Sequence, residues 1–220
     1  MILFSMDGIT WEQFLKDIKV IHDISQRLND NWEIISVNDD IAGTYLVKTN
    51  LLQLTIDEDA DESNGKDGID FKEEELLSYD SPTEAALNHN DNKKQLIKFE
   101  YHVLYHISYG VPYLCFNAHK SNGSLLTLDE SWKIFNDLNP RSASPIRENM
   151  LNILTQMEHP VLFKPFLTLH PCRIADILRS LPHSQNKVLS FLSTYGPTVY
   201  LTFDLEYAQQ FNQIEKMPPN

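Results

Sequence analysis

LIKFEYHVLYHISYGVPYLCFNAH, residues 96–119, is the stretch on which the reading of the fold turns. Leu96 to Tyr109 is rich in β-branched and aromatic residues and reads as a strand. Val111-Pro112 breaks the pattern before a second run from Tyr113 to His119. Two more strands precede this pair, Trp32 to Val37 and Thr44 to Ile56, parted by a turn at Asp39, Asp40 and Gly43. Before them, Trp11, Phe14, Leu15, Ile18, Ile21, Ile24 and Leu28 recur at helical spacing, which predicts an amphipathic helix of about 18 to 20 residues. Thr10 is placed to cap it and Gln13 to complete a capping box. The expectation is an α+β fold: an antiparallel sheet of four main strands packed by the first helix, with the cysteine loop and C-terminal helices on one edge.

Beyond the sheet the texture changes. Asn122-Gly123 supplies a turn, Leu128 to Leu138 reads as a short helix stopped at Asn139-Pro140, Arg141 to Pro145 as a loop, and Ile146 to Met157 as a helix. Pro160, Pro165 and Pro171 then leave room only for a short strand at Phe166 to Leu169. After Cys172 a helix is expected, since Ile174, Ile177, Leu178 and Leu181 form a stripe ended by Pro182. Lys187 to Tyr195 gives another helix, stopped by Gly196-Pro197, and Thr198 to Phe203 a final extended piece.

With 42% hydrophobic and 10% aromatic residues the chain can bury one sizeable core, so residues 1–220 are read as a single domain. No signal peptide and no apolar run of membrane-spanning length is visible, which predicts a soluble intracellular protein without a transmembrane segment. Charge is unevenly spread: between Asp57 and Lys94 stand 13 acidic and 4 basic residues, a net of −9 out of −13 overall. Residues 57–94 hold too few large apolar side chains to offset ordering and are expected to be a mostly disordered acidic insertion. An acidic chain without clustered Lys and Arg is no nucleic-acid binder.

The chemistry centres on the two cysteines. Cys115, inside an apolar strand, reads as a small buried hydrophobe. Cys172 stands between a proline-containing loop and a helix start, where unpaired amides, the macrodipole and neighbouring Arg173 all favour thiolate. The residues alone leave Cys172 open between nucleophile and structural thiol. No protease signature surrounds it. His102 and His106 lie about 13 Å apart along a strand, too far to share one ion, and no phosphate loop or metal motif is found. No metal, nucleotide or other cofactor is expected.

EHPVLFKPFLTLHPC at 158–172, with FEYHVLYHISYGVPYLCFNA at 99–118 and SFLSTYGPTVYL at 190–201, resembles the autophagy-related protein 10 family of E2-like enzymes. The resemblance covers the first helix, the opening hairpin and most of 96–207, and leaves the acidic insertion out. It implies an E2-like core, a cytoplasmic location and a role in autophagy. Cys172 would take the ubiquitin-like autophagy-related protein 12 from the E1-like autophagy-related protein 7, then pass it to a lysine of autophagy-related protein 5. His170 and Pro171 would shape the loop presenting the thiol. Ubiquitin-conjugating enzymes carry an asparagine in their tripeptide; the cysteine occupies that place here, so another oxyanion donor is needed. Asn117, Tyr105 and Tyr109 are the candidates, with strand alternation putting Tyr105, Ile107 and Tyr109 on one face. The rival autophagy-related protein 3 family also has a His-Pro-Cys loop, but serves lipidation and carries its long acidic insertion after the cysteine segment. A third possibility is an inactive binding module, against which the intact tripeptide speaks.

Overall fold

Helix α1, Trp11–Leu28, begins at the expected cap, the Thr10 hydroxyl accepting from the Gln13 amide at 3.1 Å. The other half of the capping box does not form. Gln13 turns its side-chain amide to the Asp17 carboxylate, 2.6 Å away, because that carboxylate is buried and needs donors. Phe14, Ile18, Ile21 and Ile24 are fully buried, as the periodicity selects. The computed structural model describes residues 8–37, 43–55, 94–127, 130–131, 134–135 and 154–214, excepting the side chains at 55, 94, 172–173 and 212–214.

Six strands, not four, make one antiparallel sheet among the described residues, in the order β1-β2-β3-β4-β6-β5. They are β1 Glu33–Ser36, β2 Thr44–Thr55, β3 Lys94–His106, β4 Val111–His119, β5 Leu154–Glu158 and β6 Pro165–Leu169. The two additions have physical causes. The short strand expected near Phe166 joins the sheet as β6, with Cys115 opposite Thr168 and Phe116 opposite Leu167. β5 takes residues read from sequence as the end of a helix, since five consecutive pairs with β6, Leu154 opposite Leu169 through Glu158 opposite Pro165, outweigh a weak helical preference. Nor does Pro112 break the sheet. It is the second residue of β4, opposite Tyr105, short of the stretch where β6 pairs on the other side.

β3 divides the molecule into two faces. Tyr101 and Tyr105 point to the helices: the Tyr105 ring packs 5.7 and 5.6 Å from Trp11 and Phe14, and the Tyr101 hydroxyl donates to the Val199 carbonyl at 2.7 Å. Glu100, His102 and His106 take the opposite face by alternation.

After β6 come α2 Pro171–Arg179, α3 Lys187–Tyr195, a 3-10 turn Gly196–Val199 and α4 Leu205–Ile214. α1 supplies the acceptor for the start of α3: Asp17 takes the Lys187 and Val188 amides at 2.8 and 3.3 Å, while Asn186 donates to the Asp17 carbonyl at 3.0 Å. The piece expected to be extended from Thr198 is instead partly this tight turn. Pro197, second in the turn, falls where no helical partner awaits its missing amide hydrogen, and a Cβ on Gly196 would meet the Leu201 carbonyl oxygen at 2.5 Å.

Glu130, Ser131, Ile134 and Phe135 are helical as expected, preceded by a capping box in which Glu130 takes the Thr127 amide and Thr127 takes that of Glu130. The Asp39-Asp40 turn, the acidic insertion apart from Lys94, the Arg141–Pro145 loop and residues 146–153 lie outside the described residues. So does the rest of the helix read at Leu128 to Leu138, apart from Glu130, Ser131, Ile134 and Phe135.

Candidate active site

β6 is held in the sheet by neighbours on both sides and delivers the chain to His170. Pro171 then opens α2, its missing amide hydrogen costing nothing at a first helical position, and Cys172 is the second residue of the helix. Ile174, Ile177 and Leu178 on this helix are buried, which fixes its direction relative to the sheet. The sequence places the tripeptide at a loop-to-helix junction, and the helix starts one residue earlier than the cysteine.

A chain of three rings leads away from His170. Tyr109 is 6.4 Å from His170 between ring centroids, His106 is 4.8 Å from Tyr109, and Tyr113 is 5.6 Å from His106, all edge to face. The turn between β3 and β4 sets this up. The Gly110 amide donates to the His106 carbonyl at 2.8 Å with φ +61, and the Gly110 carbonyl accepts from Ile9 at 2.7 Å. Gly8 is needed for that approach, since a Cβ there would lie 2.3 Å from the Gly110 oxygen. His106 is half-buried, and its Nδ1 is fully buried without a hydrogen-bond partner. Burial, helped by nearby His170, pushes its pKa below the usual 6.5.

The sequence-predicted candidates separate. Tyr109 is 41% exposed and reaches His170. It does not share a face with Tyr105, because β3 ends at His106 and Tyr109 belongs to the turn. The Tyr105 hydroxyl donates to the Ile9 carbonyl at 2.8 Å on the helix side. The Asn117 amide donates to the Pro165 carbonyl at 3.1 Å, at the far end of β6 from Pro171. Cys115 behaves as expected of a packed thiol. It is 1% exposed, 3.2 Å from the Thr168 hydroxyl, and burial pushes its pKa up to about 12.

A second polar group on this face runs through His102, which sequence reading considered only as a partner for His106. His159 Nδ1 accepts from the Val161 and Leu162 amides, both at 3.2 Å, so in the neutral ring the proton sits on Nε2. Nε2 therefore donates to His102 Nδ1 at 2.9 Å, and His102 Nε2 donates to Glu100 at 2.9 Å. Only the nearness of β3 to the β5–β6 turn creates this chain, and no local motif announces it.

A family model described as autophagocytosis associated protein, active-site domain, matches residues 13–206. The chain is also similar to three curated proteins, each named ubiquitin-like-conjugating enzyme ATG10. It is 37% identical to the one from Homo sapiens over 132 residues, 57% of this chain and 59% of that protein. Identity to the one from Arabidopsis thaliana is 33% over 118 residues, 49% and 51% of the two chains. With the one from Dictyostelium discoideum it is 30% over 128 residues, 50% and 54%. The chain thus spans a little over half the length of the curated relatives it matches.

Proposed function

The chain belongs to the autophagocytosis associated protein, active-site domain family, and from that membership we propose that it is an E2-like enzyme of autophagy working through Cys172. It takes autophagy-related protein 12 from autophagy-related protein 7 as a thioester and passes it to a lysine of autophagy-related protein 5. One observation carries the reading: His170-Pro171-Cys172 lies inside the matched region and opens a nine-residue helix on a strand held within the sheet. The first turn of such a helix has unpaired amides and a positive dipole end, which stabilise thiolate, the reactive form.

Two transfers follow from that sulfur. In the first, the Cys172 thiolate attacks the carbonyl of the incoming thioester and the donor's thiolate leaves, with no free energy needed beyond that already stored upstream. In the second, a lysine amine attacks the same carbonyl, the C–N bond forms, and the C–S bond breaks to return the thiolate. Both pass through an oxyanion that needs a hydrogen-bond donor. Among the three candidates Tyr109 suits this or lysine orientation best, because its ring reaches His170, while Tyr105 and Asn117 are bonded to backbone elsewhere. No cofactor is required, and the setting is the cytoplasm.

The test is loading with purified partners. With the activating enzyme, ATP and autophagy-related protein 12, the protein forms an adduct that reducing agent cleaves. Cys172→Ser gives a reductant-resistant ester, and Cys172→Ala gives nothing. Loading that persists in Cys172→Ala sinks the proposal, and exclusive loading of the lipid-directed ubiquitin-like protein moves the chain to the rival family.

A further inference from the structure

We propose that the rings of His106, Tyr109 and His170 form the seat of the attacking lysine side chain, with His106 the group that takes its proton. The inference rests on the reading of Cys172 as the thioester carrier and adds to it the residue that handles the acceptor.

The argument starts from the lysine. Its amine is protonated up to a pKa of about 10.4 in water, and attack on the carbonyl places positive charge on nitrogen, so a proton must leave for the amide to form. A group beside the reacting carbonyl that is neutral near pH 7 and has a nitrogen to spare is what the step requires. His106 is a half-buried imidazole whose ring meets Tyr109, itself in contact with His170. Its Nδ1 is buried without a partner, an arrangement that normally costs stability and therefore calls for an explanation. The described titratable groups facing it are His170 from the β6–α2 junction, Tyr109 from the turn and Tyr113 from β4, and no carboxylate is among them. Burial and His170 both disfavour the imidazolium, which keeps the ring ready to accept.

The same rings suit the lysine stem. Tyr109 is 41% exposed while its ring contacts both His106 and His170, so it offers an accessible surface beside His170, which stands two residues before Cys172. A four-carbon stem lies along such a surface with its nitrogen reaching past it. Removing that nitrogen from water lowers its pKa and eases the transfer. In the balanced step the lysine ammonium gives up one proton to solvent as it leaves water, the neutral nitrogen bonds to the carbonyl carbon, the C–S bond breaks to leave the Cys172 thiolate, and the second proton passes from nitrogen to His106 and on to solvent.

The experiment is single-turnover discharge. The wild-type protein and His106→Phe and His106→Gln are loaded on Cys172, the activating enzyme is stopped, and free L-lysine is added between about pH 5.5 and about pH 8. Both variants are expected to load at the wild-type rate and to discharge at least about tenfold more slowly at neutral pH. The wild-type discharge rate should rise with pH through an inflection below 6.5 that both variants lack. Discharge within about twofold of wild type over that range, or an equal slowing of loading and discharge, overturns the inference. His106→Gln keeps a polar side chain of similar reach, so melting curves on both variants separate lost chemistry from lost folding. If the wild type forms no adduct, the parent reading fails and takes this one with it; normal loading with undisturbed discharge overturns this one alone.

Discussion

His159 has no exposed surface, and its two nitrogens are committed in opposite senses, one to backbone donors and the other to His102. Burial, with His102 beside it, pushes its pKa from 6.5 down to about 4. The unfolded chain binds this proton near 6.5 and the folded one only near 4, so the stability it contributes is complete above 6.5 and is lost as pH falls through that window. Glu100, held below its ordinary 4.5 first by the hydrogen bond from His102, adds its own loss only at lower pH. Urea midpoints are therefore expected to drop between about pH 7 and about pH 5 in the wild type. His159→Phe should start lower and change less over the same range; an equal slope in the variant would refute the assignment. Residues of this kind were not legible in the sequence, because His102 and His159 stand far apart in the chain and meet only through the β5–β6 turn. His106 was hidden for a related reason. Its role depends on β3 ending there, and alternation had carried the strand on to Tyr109. The burial of Cys115 was readable, since it sits in an apolar strand.

At the scale of elements, the helices with strong periodicity were the readable ones. α1 runs over the predicted residues and α3 occupies Lys187–Tyr195 as expected. What the pattern did not carry is how one helix completes another. Asp17, 2% exposed, looks in sequence like a polar interruption near the apolar stripe of α1, yet it receives the first amides of α3 and the Gln13 side chain. Burial raises its pKa above 3.8 while these donors pull it back, so it is kept in place by hydrogen bonds rather than by a paired cation. Asp17→Ala leaves several donors unanswered at a buried helix start. A loss of roughly 2 to 4 kcal/mol follows from the cap and the orphaned amides together. Asp17→Asn, which keeps one acceptor, should lose less. Denaturant unfolding gives both numbers, and amide exchange at Lys187 and Val188 should quicken first; a loss under about 0.5 kcal/mol in the alanine variant would show that the contact is dispensable. β5 is the opposite case, its five residues too few and too mixed to declare a strand before their pairing with β6 is known.

The whole molecule joins a sheet that buries apolar side chains around Phe99, Tyr101 and Phe116 to a long acidic stretch within one hairpin. The register explains why the two can coexist. Thr55 at the end of β2 and Lys94 at the start of β3 are directly paired, so the chain leaves the sheet and re-enters it at the same place. Composition sets the expected insertion at 57–94, and the described strands stop at Thr55 and resume at Lys94. Replacing residues 57–93 with a short turn containing Asn-Gly should then leave the ladder intact. It removes 13 acidic and 3 basic residues, taking the formal charge from −13 to −3. The loop becomes about eightfold shorter, three doublings at about 0.6 kcal/mol each, which predicts stabilisation of roughly 2 kcal/mol and a higher melting temperature. The same variant separates two uses of the stretch. Unchanged loading of Cys172 at low and high salt marks it as solvated spacer. Loading that slows only at low salt marks it as an electrostatic guide for a basic partner, since attraction between exposed charges fades once ions screen it. A melting temperature below that of the intact chain would mean that residues 57–93 pack against the body, and the hairpin argument would fail.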